Sequence, residues 1–182
     1  MNLEKLKEML GVEQTQDKPL LLIILGRSCS GKTTLPRKLR DEDGIYEAVS
    51  YTTRSIREGE VNGKDYWFVS KEEMSKLNQL GKLIEYVIYD DNYYGLGIDS
   101  FDYSRDNAVI VEPGGARMLK GALSDKFNIK MIQLDAPDEV IIERSRKRGD
   151  NPELFGQRFK EDKKIFQNTE ADVILNSNEW EI

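Results

Sequence analysis

The chain has 182 residues, a length typical of one domain, and 38% of them are hydrophobic, which is enough for a core. Its 33 acidic and 27 basic side chains give a net charge of −6, and a surface this acidic disfavours general binding to nucleic acid or to an anionic membrane. With one cysteine and no histidine, the chain excludes a disulfide framework, a Cys/His zinc site and catalysis through a histidine pair.

The sequence shows no sign of membrane insertion or export. The longest aliphatic run is Leu20–Leu25, far shorter than a membrane span. Glutamate and lysine side chains within residues 4–8 interrupt the apolar stretch that a signal peptide needs. We therefore expect a cytoplasmic protein that binds neither a membrane nor nucleic acid.

Apolar periodicity predicts helices and strands that alternate along most of the chain. The predicted helices cover residues 2–10, about 31–40, 70–80, 98–106, Gly115 to about Leu123, 137–148 and 153–166. The predicted strands are 20–25, 46–50, 67–69, 83–89, 108–111, 129–134 and 172–175, with linker or loop at 13–19, 51–66 and 90–97. This alternation indicates an α/β fold with a mostly parallel sheet. Residues 51–96 break the rhythm and predict a strand-rich insertion at the carboxyl edge of the sheet, where open α/β folds bind ligands.

Residues 26–33 follow the first predicted strand and read Gly-Arg-Ser-Cys-Ser-Gly-Lys-Thr, which matches G-x-x-x-x-G-K-[ST]. The two glycines let the backbone turn and approach phosphate groups, while amides at the helix N-terminus face the β-phosphate. Lys32 would reach the β- and γ-phosphates, and the Thr33 hydroxyl would bind Mg²⁺. The pattern predicts ATP binding by Gly26, Arg27, Ser28, Cys29, Ser30, Gly31, Lys32, Thr33 and Thr34.

Two alternatives accompany this motif. The loop could be a glycine-rich turn without a ligand, although its position between a buried strand and a helix favours phosphate binding. Cys29 is better explained as a small loop residue than as a nucleophile, because no partner base is visible.

The segment Ser50–Ser70 resembles the signature of the guanylate kinases, enzymes that transfer a phosphoryl group from ATP to GMP. The resemblance continues in Ile84-Glu85-Tyr86 with Asn92-Tyr93-Tyr94-Gly95, in Arg144-x-x-x-Arg148-Gly149 and in Ala171-Asp172-Val173-Ile174-Leu175-Asn176. It covers residues 20 to about 178. It implies a P-loop NTPase-type parallel sheet with flanking helices, an inserted strand-rich subdomain that binds the nucleoside monophosphate, and a small lid.

The resemblance also implies a division of the chain. Its parts are an N-terminal helix and linker (1–19) and a guanylate-kinase-like domain (20–182), which contains a core (20–50 and 97–182), the nucleotide-binding insertion (51–96) and a lid (about 148–157). The family usually ends with a further helix after the last strand. We expect residues 2–10 to cover the apolar face on which that helix would pack.

By the same resemblance, Arg54, Arg57, Tyr66 and Tyr94 hold the α-phosphate of the acceptor nucleotide. The chemistry agrees, because two guanidinium groups offer paired donors to a dianion and two phenols add hydroxyls. Taken alone, the arginines could be a solvated cationic loop and the tyrosines could be packing residues.

Glu85 would read the base. Guanine presents two adjacent donors, N1–H and the N2 amino group, which one carboxylate can accept, whereas adenine presents an acceptor at N1. Ser50 would add a hydroxyl near the amino group, and Glu112 completes the implied GMP-binding set. The alternative for Glu85 is a polar residue on the outer face of a strand.

The implied catalytic residues are cations around the transferring phosphoryl group. Positive charge that closes over an anionic transition state and excludes water suits such a transfer. The resemblance assigns this role to Lys32, Arg144, Arg148 and Arg158. Arg146 and Lys147 are better explained as part of a solvated face.

The chain departs from the family at several positions. Leu96 replaces a Ser or Thr whose hydroxyl would bond the guanine O6. Ile110 and Glu112 stand where the family usually has two aspartates, and Arg27 and Cys29 stand where the phosphate loop commonly has Pro and Gly. Because of these departures, the identity of the base in the acceptor nucleotide is the part of the assignment that the sequence leaves open.

The sequence therefore predicts phosphorylation of GMP or dGMP by ATP with Mg²⁺, by a monomer or homodimer. One alternative is a kinase of the same fold that acts on another nucleoside monophosphate. Another is a non-catalytic interaction module of the same family, although such modules usually lack the phosphate loop that Lys32 and Thr33 complete. A small GTPase is excluded because no Asn-Lys-x-Asp motif is present.

Overall fold

A parallel five-stranded sheet lies at the centre of the protein. The computed structural model describes residues 1–13, 17–89 and 91–176. The strands in these residues are β1 Leu20–Gly26, β2 Tyr46–Glu47, β3 Tyr51–Thr52, β4 Trp67–Phe68, β5 Leu83–Tyr89, β6 Asn92–Gly97, β7 Asn107–Ile110, β8 Asn128–Asp135 and β9 Val173–Asn176. The central sheet has the order β2-β7-β1-β8-β9 with all neighbours parallel, which confirms the predicted fold class.

Helices flank the strands; they are α1 Leu3–Met9, α2 Thr34–Asp43, α3 Lys71–Gln79, α4 Pro113–Leu123, α5 Asp138–Arg148 and α6 Pro152–Phe166. β1 is buried along its whole length, as a strand covered on both faces must be. One hydrophobic cluster joins β1 to α1 and α2, and a second joins it to α4. None of the helices described is long and apolar enough to cross a bilayer.

The N-terminal helix packs on the central sheet. Leu3 and Leu6 of α1, and Leu10 after it, are buried in the first cluster together with Leu175 of β9. Residues 2–10 thus cover an apolar face of the central sheet, and the correspondence with the face of the family's further helix stays a prediction. Part of the predicted linker, residues 14–16, and the end of the predicted core, residues 177–182, lie outside the described residues.

A smaller sheet has the order β4-β3-β6-β5 and mixes parallel and antiparallel pairs. α3 begins there as predicted, with a capping box in which the Ser70 hydroxyl accepts a bond from the Glu73 amide (3.1 Å) and the Glu73 carboxylate accepts one from the Ser70 amide (2.8 Å).

The prediction of a loop over 90–97 is wrong, because β6 begins at Asn92. Asp91 has a left-handed φ of 55° and helps to turn the chain from β5 into β6. Tyr94 then pairs with Val87 in an antiparallel ladder. The polar turn residues favoured a loop, but pairing with β5 supplies the tertiary context that overrides local preference. For the same reason β3 forms inside the predicted loop 51–66, where it pairs with β6.

The predicted helix over 98–106 is also wrong. Only a 3₁₀ turn, Ile98–Ser100, forms there. The loop that follows is organised by the fully buried Asn107, whose amide donates to the carbonyls of Asp102 (2.7 Å) and Arg105 (2.6 Å) and whose oxygen accepts from the Asp102 amide (2.9 Å). A side chain that satisfies three backbone groups competes with helix formation.

Three element ends differ from the predictions. The second strand is Tyr46–Glu47 instead of 46–50, and α2 starts at Thr34 because the preceding residues form the turn of the phosphate loop. α4 starts at Pro113, two residues before Gly115. Proline fits the first helical position because the backbone N–H there donates no hydrogen bond within the helix. The other elements agree with the predictions within one or two residues.

Candidate functional site

A cavity of about 610 Å³ lies between the carboxyl end of β1 and the small sheet. Most of the predicted site residues line it, which brings together segments far apart in the sequence. They are Gly26, Ser28, Cys29, Gly31, Lys32, Thr33, Thr34, Ser50, Arg54, Arg57, Tyr66, Glu85, Tyr94, Glu112, Arg144, Arg148 and Arg158. Two predicted residues, Arg27 and Ser30, are not among the lining residues.

The phosphate loop leaves β1 at Gly26, where the backbone passes so close to its neighbours that only glycine fits. A Cβ there would lie 2.6 Å from both the Leu134 carbonyl oxygen and Ser30 Oγ. Gly31 has a φ of 99°, which favours glycine, and Cys29 has a φ of 61°, which a residue with a side chain adopts at a cost. The loop therefore makes a tight turn that ends at the N-terminus of α2, where backbone amides can bind an anion.

Lys32 lies in this loop with its Nζ donating to the Arg27 carbonyl oxygen at 3.2 Å. Burial, together with the positive charge of Arg158, lowers the pKa of Lys32 to about 8. Lys32 remains mainly protonated at neutral pH, so it presents a poorly solvated positive charge to the cavity. Phosphate oxygens are the natural counter-charge for such a group.

Arg27, predicted to bind ATP, turns its side chain away from the cavity. Its guanidinium donates to Asp135 (2.8 Å from Nη2), to Asp138 (2.7 Å from Nη1) and to the Ala136 carbonyl (2.5 Å). It also lies over the Phe159 ring, 5.8 Å from the centroid. Arg27 therefore ties the phosphate loop to the end of β8 and to α5 and α6. Ser30 is fully buried behind the loop.

We expect Arg27→Ala to lower the free energy of unfolding by about 1–3 kcal/mol, because it leaves a carbonyl and two carboxylates without their shared donor. The aspartates are about a third exposed, which limits the loss. Urea denaturation measures it. Lys147→Ala, which removes the exposed pair with Glu143, is the control and should cost less than about 0.5 kcal/mol. Equal effects would contradict the role assigned to Arg27.

On the opposite wall, Arg54 is held by a residue that the sequence analysis missed. Its Nη1 and Nη2 donate to the two carboxylate oxygens of Glu60 at 3.0 and 2.7 Å, and the Arg57 amide donates to Glu60 Oε2 at 2.8 Å. These bonds lower the pKa of Glu60. The Arg54 guanidinium also faces the Tyr66 ring at 5.5 Å, and Tyr66 packs edge-on against Tyr94. Three of the predicted phosphate-binding side chains, Arg54, Tyr66 and Tyr94, thus form one cluster, which Arg57 joins through its backbone amide.

Glu85 lies at the far end of the cavity and is 8% exposed. Burial, with a smaller contribution from the charge of Glu112, raises the pKa of Glu85 to about 7. Among residues 1–13, 17–89 and 91–176 no cation pairs with this buried carboxyl group, which is therefore poised to accept hydrogen bonds from a ligand. Ser50 and Glu112 line the same cavity.

Leu96 does not face this cavity, contrary to the sequence expectation. It pairs with Glu85 in the β5–β6 ladder but is 1% exposed and belongs to the hydrophobic cluster that includes Phe101 and Leu119. A leucine in this place fills the core. Its side chain is therefore not placed to contact a base bound in the cavity.

We expect Leu96→Thr to lower the free energy of unfolding by about 2–4 kcal/mol, since it removes buried methyl groups and buries a hydroxyl. Binding of a nucleotide base should not improve. Thermal denaturation and acceptor kinetics measure the two effects, with the half-exposed Ile98→Thr as control. A stable Leu96→Thr variant with tighter acceptor binding would show instead that residue 96 contacts the base.

Three arginines approach the phosphate loop from α5 and α6. Arg144 Nη1 donates to the Cys29 carbonyl at 3.2 Å, Arg148 forms a two-point contact with Asp150, and Arg158 lines the cavity. The sequence analysis missed Asp162, which is 7% exposed and accepts a bond from the Ser28 amide at 2.6 Å. An isolated acid on a charged helix gives no signal in the sequence.

A G-x-x-x-x-G-K-T loop between a central parallel strand and a helix defines the P-loop NTPase-type fold, and this chain has it. The family model for guanylate kinase matches residues 18–181. The chain therefore belongs to the guanylate kinase family.

Curated relatives agree with this assignment. A guanylate kinase of Lactiplantibacillus plantarum is 38% identical over 125 residues, which is 65% of this chain and 59% of that protein. One of Streptococcus pneumoniae is 34% identical over 155 residues, or 81% of this chain and 73% of that protein. The matches thus span 59% and 61% of the first two relatives, the second from Enterococcus faecalis. The crystal structure of guanylate kinase from Anaplasma phagocytophilum shares the fold, with a TM-score of 0.61 and 24% identity over 88% of this chain and 78% of that one.

Proposed function

We propose that this protein transfers the γ-phosphoryl group of ATP to GMP or dGMP, forming ADP and GDP or dGDP. One observation carries the proposal: a single cavity is lined by the phosphate loop, by two arginines and two tyrosines of the insertion, and by a buried carboxyl group. These are binding groups for two phosphate chains and one base. Membership of the guanylate kinase family supports the same substrates.

In this proposal Lys32 and the loop amides hold the β- and γ-phosphates of ATP. The acceptor phosphate binds Arg54, Arg57, Tyr66 and Tyr94, with its dianion facing the γ-phosphorus. The acceptor needs no general base, because it attacks as an already ionised phosphate oxygen. This explains how a chain without histidine can perform the reaction.

Charge neutralisation falls to Arg144, Arg148 and Arg158. All three line the same cavity, and in this proposal they lie beside the transferring group, over which negative charge spreads. The insertion 51–96 and the lid of about 148–157 are the proposed moving parts, which close over the core to exclude water. Residue 90 of that insertion lies outside the described residues.

The residues at the loop fit a magnesium ion. Mg²⁺ prefers oxygen ligands and is commonly held by one or two protein groups together with phosphates and water. The Thr33 hydroxyl lines the cavity beside the proposed phosphate position, and the described residues contain no separate cluster of three acidic, histidine or cysteine ligands. When bound, the ion would neutralise charge on the β- and γ-phosphates. A cytoplasmic location and a monomer or homodimer belong to the same proposal.

A coupled assay of ADP release tests the proposal with GMP, dGMP, AMP, dTMP and dUMP as acceptors. GMP or dGMP should exceed every other acceptor at least about tenfold in kcat/KM, the scale for one mismatched hydrogen-bonding group. Preference for another base would favour a kinase of the same fold with a different substrate. This alternative remains because the apolar Ile110 lines the cavity where the family usually has an aspartate. Binding of GMP without any transfer would indicate an interaction module.

A further inference from the structure

Glu85 sits against the first turn of α4 at a place where a helix normally carries a side chain. A Cβ built on Gly115 would lie 2.2 Å from Glu85 Oε1, 2.4 Å from Cδ and 2.7 Å from Oε2. All three terminal atoms of the carboxyl group thus occupy the volume that any other residue at 115 would fill. The recess exists because residue 115 has no side chain.

The backbone itself does not require glycine at this position. Gly115 lies inside α4 and does not have the positive φ that marks a glycine-dependent turn. Gly114, its neighbour in the same turn, faces open space, with no atom within 4 Å of a Cβ built there. Two glycines in succession weaken a helix. Only the second of them makes room for another residue.

The position of the Glu85 carboxyl group depends on this recess more than on hydrogen bonds. Across residues 1–13, 17–89 and 91–176, neither side chains nor backbone groups hydrogen-bond to it, and the neighbouring charge of Glu112 is repulsive. Burial against α4 is therefore what keeps the carboxyl group at its place in the cavity wall.

We propose that Gly115 is a positioning residue for base recognition: its missing side chain sets where the Glu85 carboxylate lies and hence where an acceptor base with two adjacent donors can bind. The inference rests on the proposed function, since that function assigns base recognition to Glu85. A methyl group at 115 pushes the end of a flexible side chain, so the fold survives while the carboxylate moves.

The test compares Gly115→Ala with Gly114→Ala, which makes the same change one residue earlier, where the methyl group meets nothing. Both variants should fold, with melting temperatures within a few degrees of the wild-type value. Gly115→Ala should raise KM for GMP about tenfold or more and leave KM for ATP unchanged, since it disturbs charge-assisted bonds to the base only. Gly114→Ala should match the wild-type protein in both constants. A general loss of packing would lower kcat for all substrates and would not separate KM for GMP from KM for ATP.

A second measurement does not depend on substrates. In protein labelled with ¹³C at glutamate carboxyl groups, the Glu85 signal, assigned by its loss in Glu85→Gln, should titrate near pH 7 in the wild type and in Gly114→Ala. In Gly115→Ala it should titrate at lower pH, because the displaced carboxyl group gains solvent. An unchanged titration, or an unchanged KM for GMP, in Gly115→Ala overturns the inference. If the wild-type protein does not phosphorylate GMP, the proposed function fails separately, and the titration still decides whether Gly115 positions Glu85.

Discussion

Lys32→Ala should reduce kcat at least about a hundredfold, the scale for loss of one preorganised electrostatic group at a reacting phosphate. Lys32 is the cation in the loop that the proposal places on the β- and γ-phosphates, and no other described side chain of residues 26–34 carries a positive charge into the cavity. Single-turnover phosphoryl transfer at saturating ATP and GMP measures the effect. The exposed Lys120→Ala is the control. Transfer by Lys32→Ala at a rate near the wild-type value would contradict the kinase proposal.

The same variant should not be less stable than the wild-type protein. The pKa of Lys32 in the folded state, about 8, lies below the value of about 10.4 for an unfolded lysine. The unfolded state therefore binds more protons between these pH values, and the stability of the free protein rises as the pH increases through this range. Lys32→Ala removes this dependence of stability on pH. Denaturation midpoints of the variant and the wild-type protein, measured at pH 7 and pH 10, therefore show whether the variant is folded when it loses catalysis.

Glu85→Gln should lower kcat/KM for GMP about a hundredfold and leave KM for ATP unchanged. The carboxylate accepts two guanine donors, whereas the glutamine amide has one acceptor and places its own donors against the base; charge-assisted bonds lost in a buried site have this magnitude. Exposed Glu139→Gln is the control. If the variant keeps its activity on GMP within about threefold, Glu85 is an ordinary strand residue and the base is read elsewhere.

The pH dependence of kcat/KM for GMP provides a second test of the role of Glu85. Only the ionised carboxylate accepts both donors, and the pKa of Glu85 is raised to about 7, so kcat/KM for GMP should fall as the pH decreases below 7. The phosphate of GMP also titrates, near pH 6, in both proteins. The ratio of wild-type to Glu85→Gln activity cancels that contribution and should decline from pH 8 to pH 6. A constant ratio would show that Glu85 is ionised throughout.

The phosphate loop and the parallel sheet could be predicted because their signals are local. Gly26, Gly31 and Lys32 have the fixed spacing of a known motif. The apolar run Leu20–Leu25 can be recognised as a buried strand without knowing which strands pair with it. β6 could not be predicted in this way. Its residues include Gly95 and Gly97 and follow two aspartates, so the strand depends on its ladders with β5 and β3.

The site was harder to predict than the fold wherever the role of a residue depends on the direction in which its side chain points. Residues 85 and 96 are partners in one ladder and both lie against α4, yet Glu85 lines the cavity and Leu96 belongs to the hydrophobic cluster. Arg27 lies in the phosphate loop by sequence and turns toward β8 in space. Glu60 and Asp162 hold functional segments through bonds to Arg54 and to the Ser28 amide, and such pairings across a fold leave no spacing to recognise.

If Arg54 binds the acceptor phosphate as proposed, its pairing with Glu60 should make the site discriminate against small anions. Both terminal nitrogens of Arg54 are already engaged by a carboxylate, so an incoming dianion must displace or share a partner of its own charge. A nucleotide offsets this cost with the contacts of its base and sugar elsewhere in the cavity. Inorganic phosphate and sulfate have no such second anchor, so under this proposal they should compete poorly. The protein should therefore bind nucleotide even in a phosphate-rich solution.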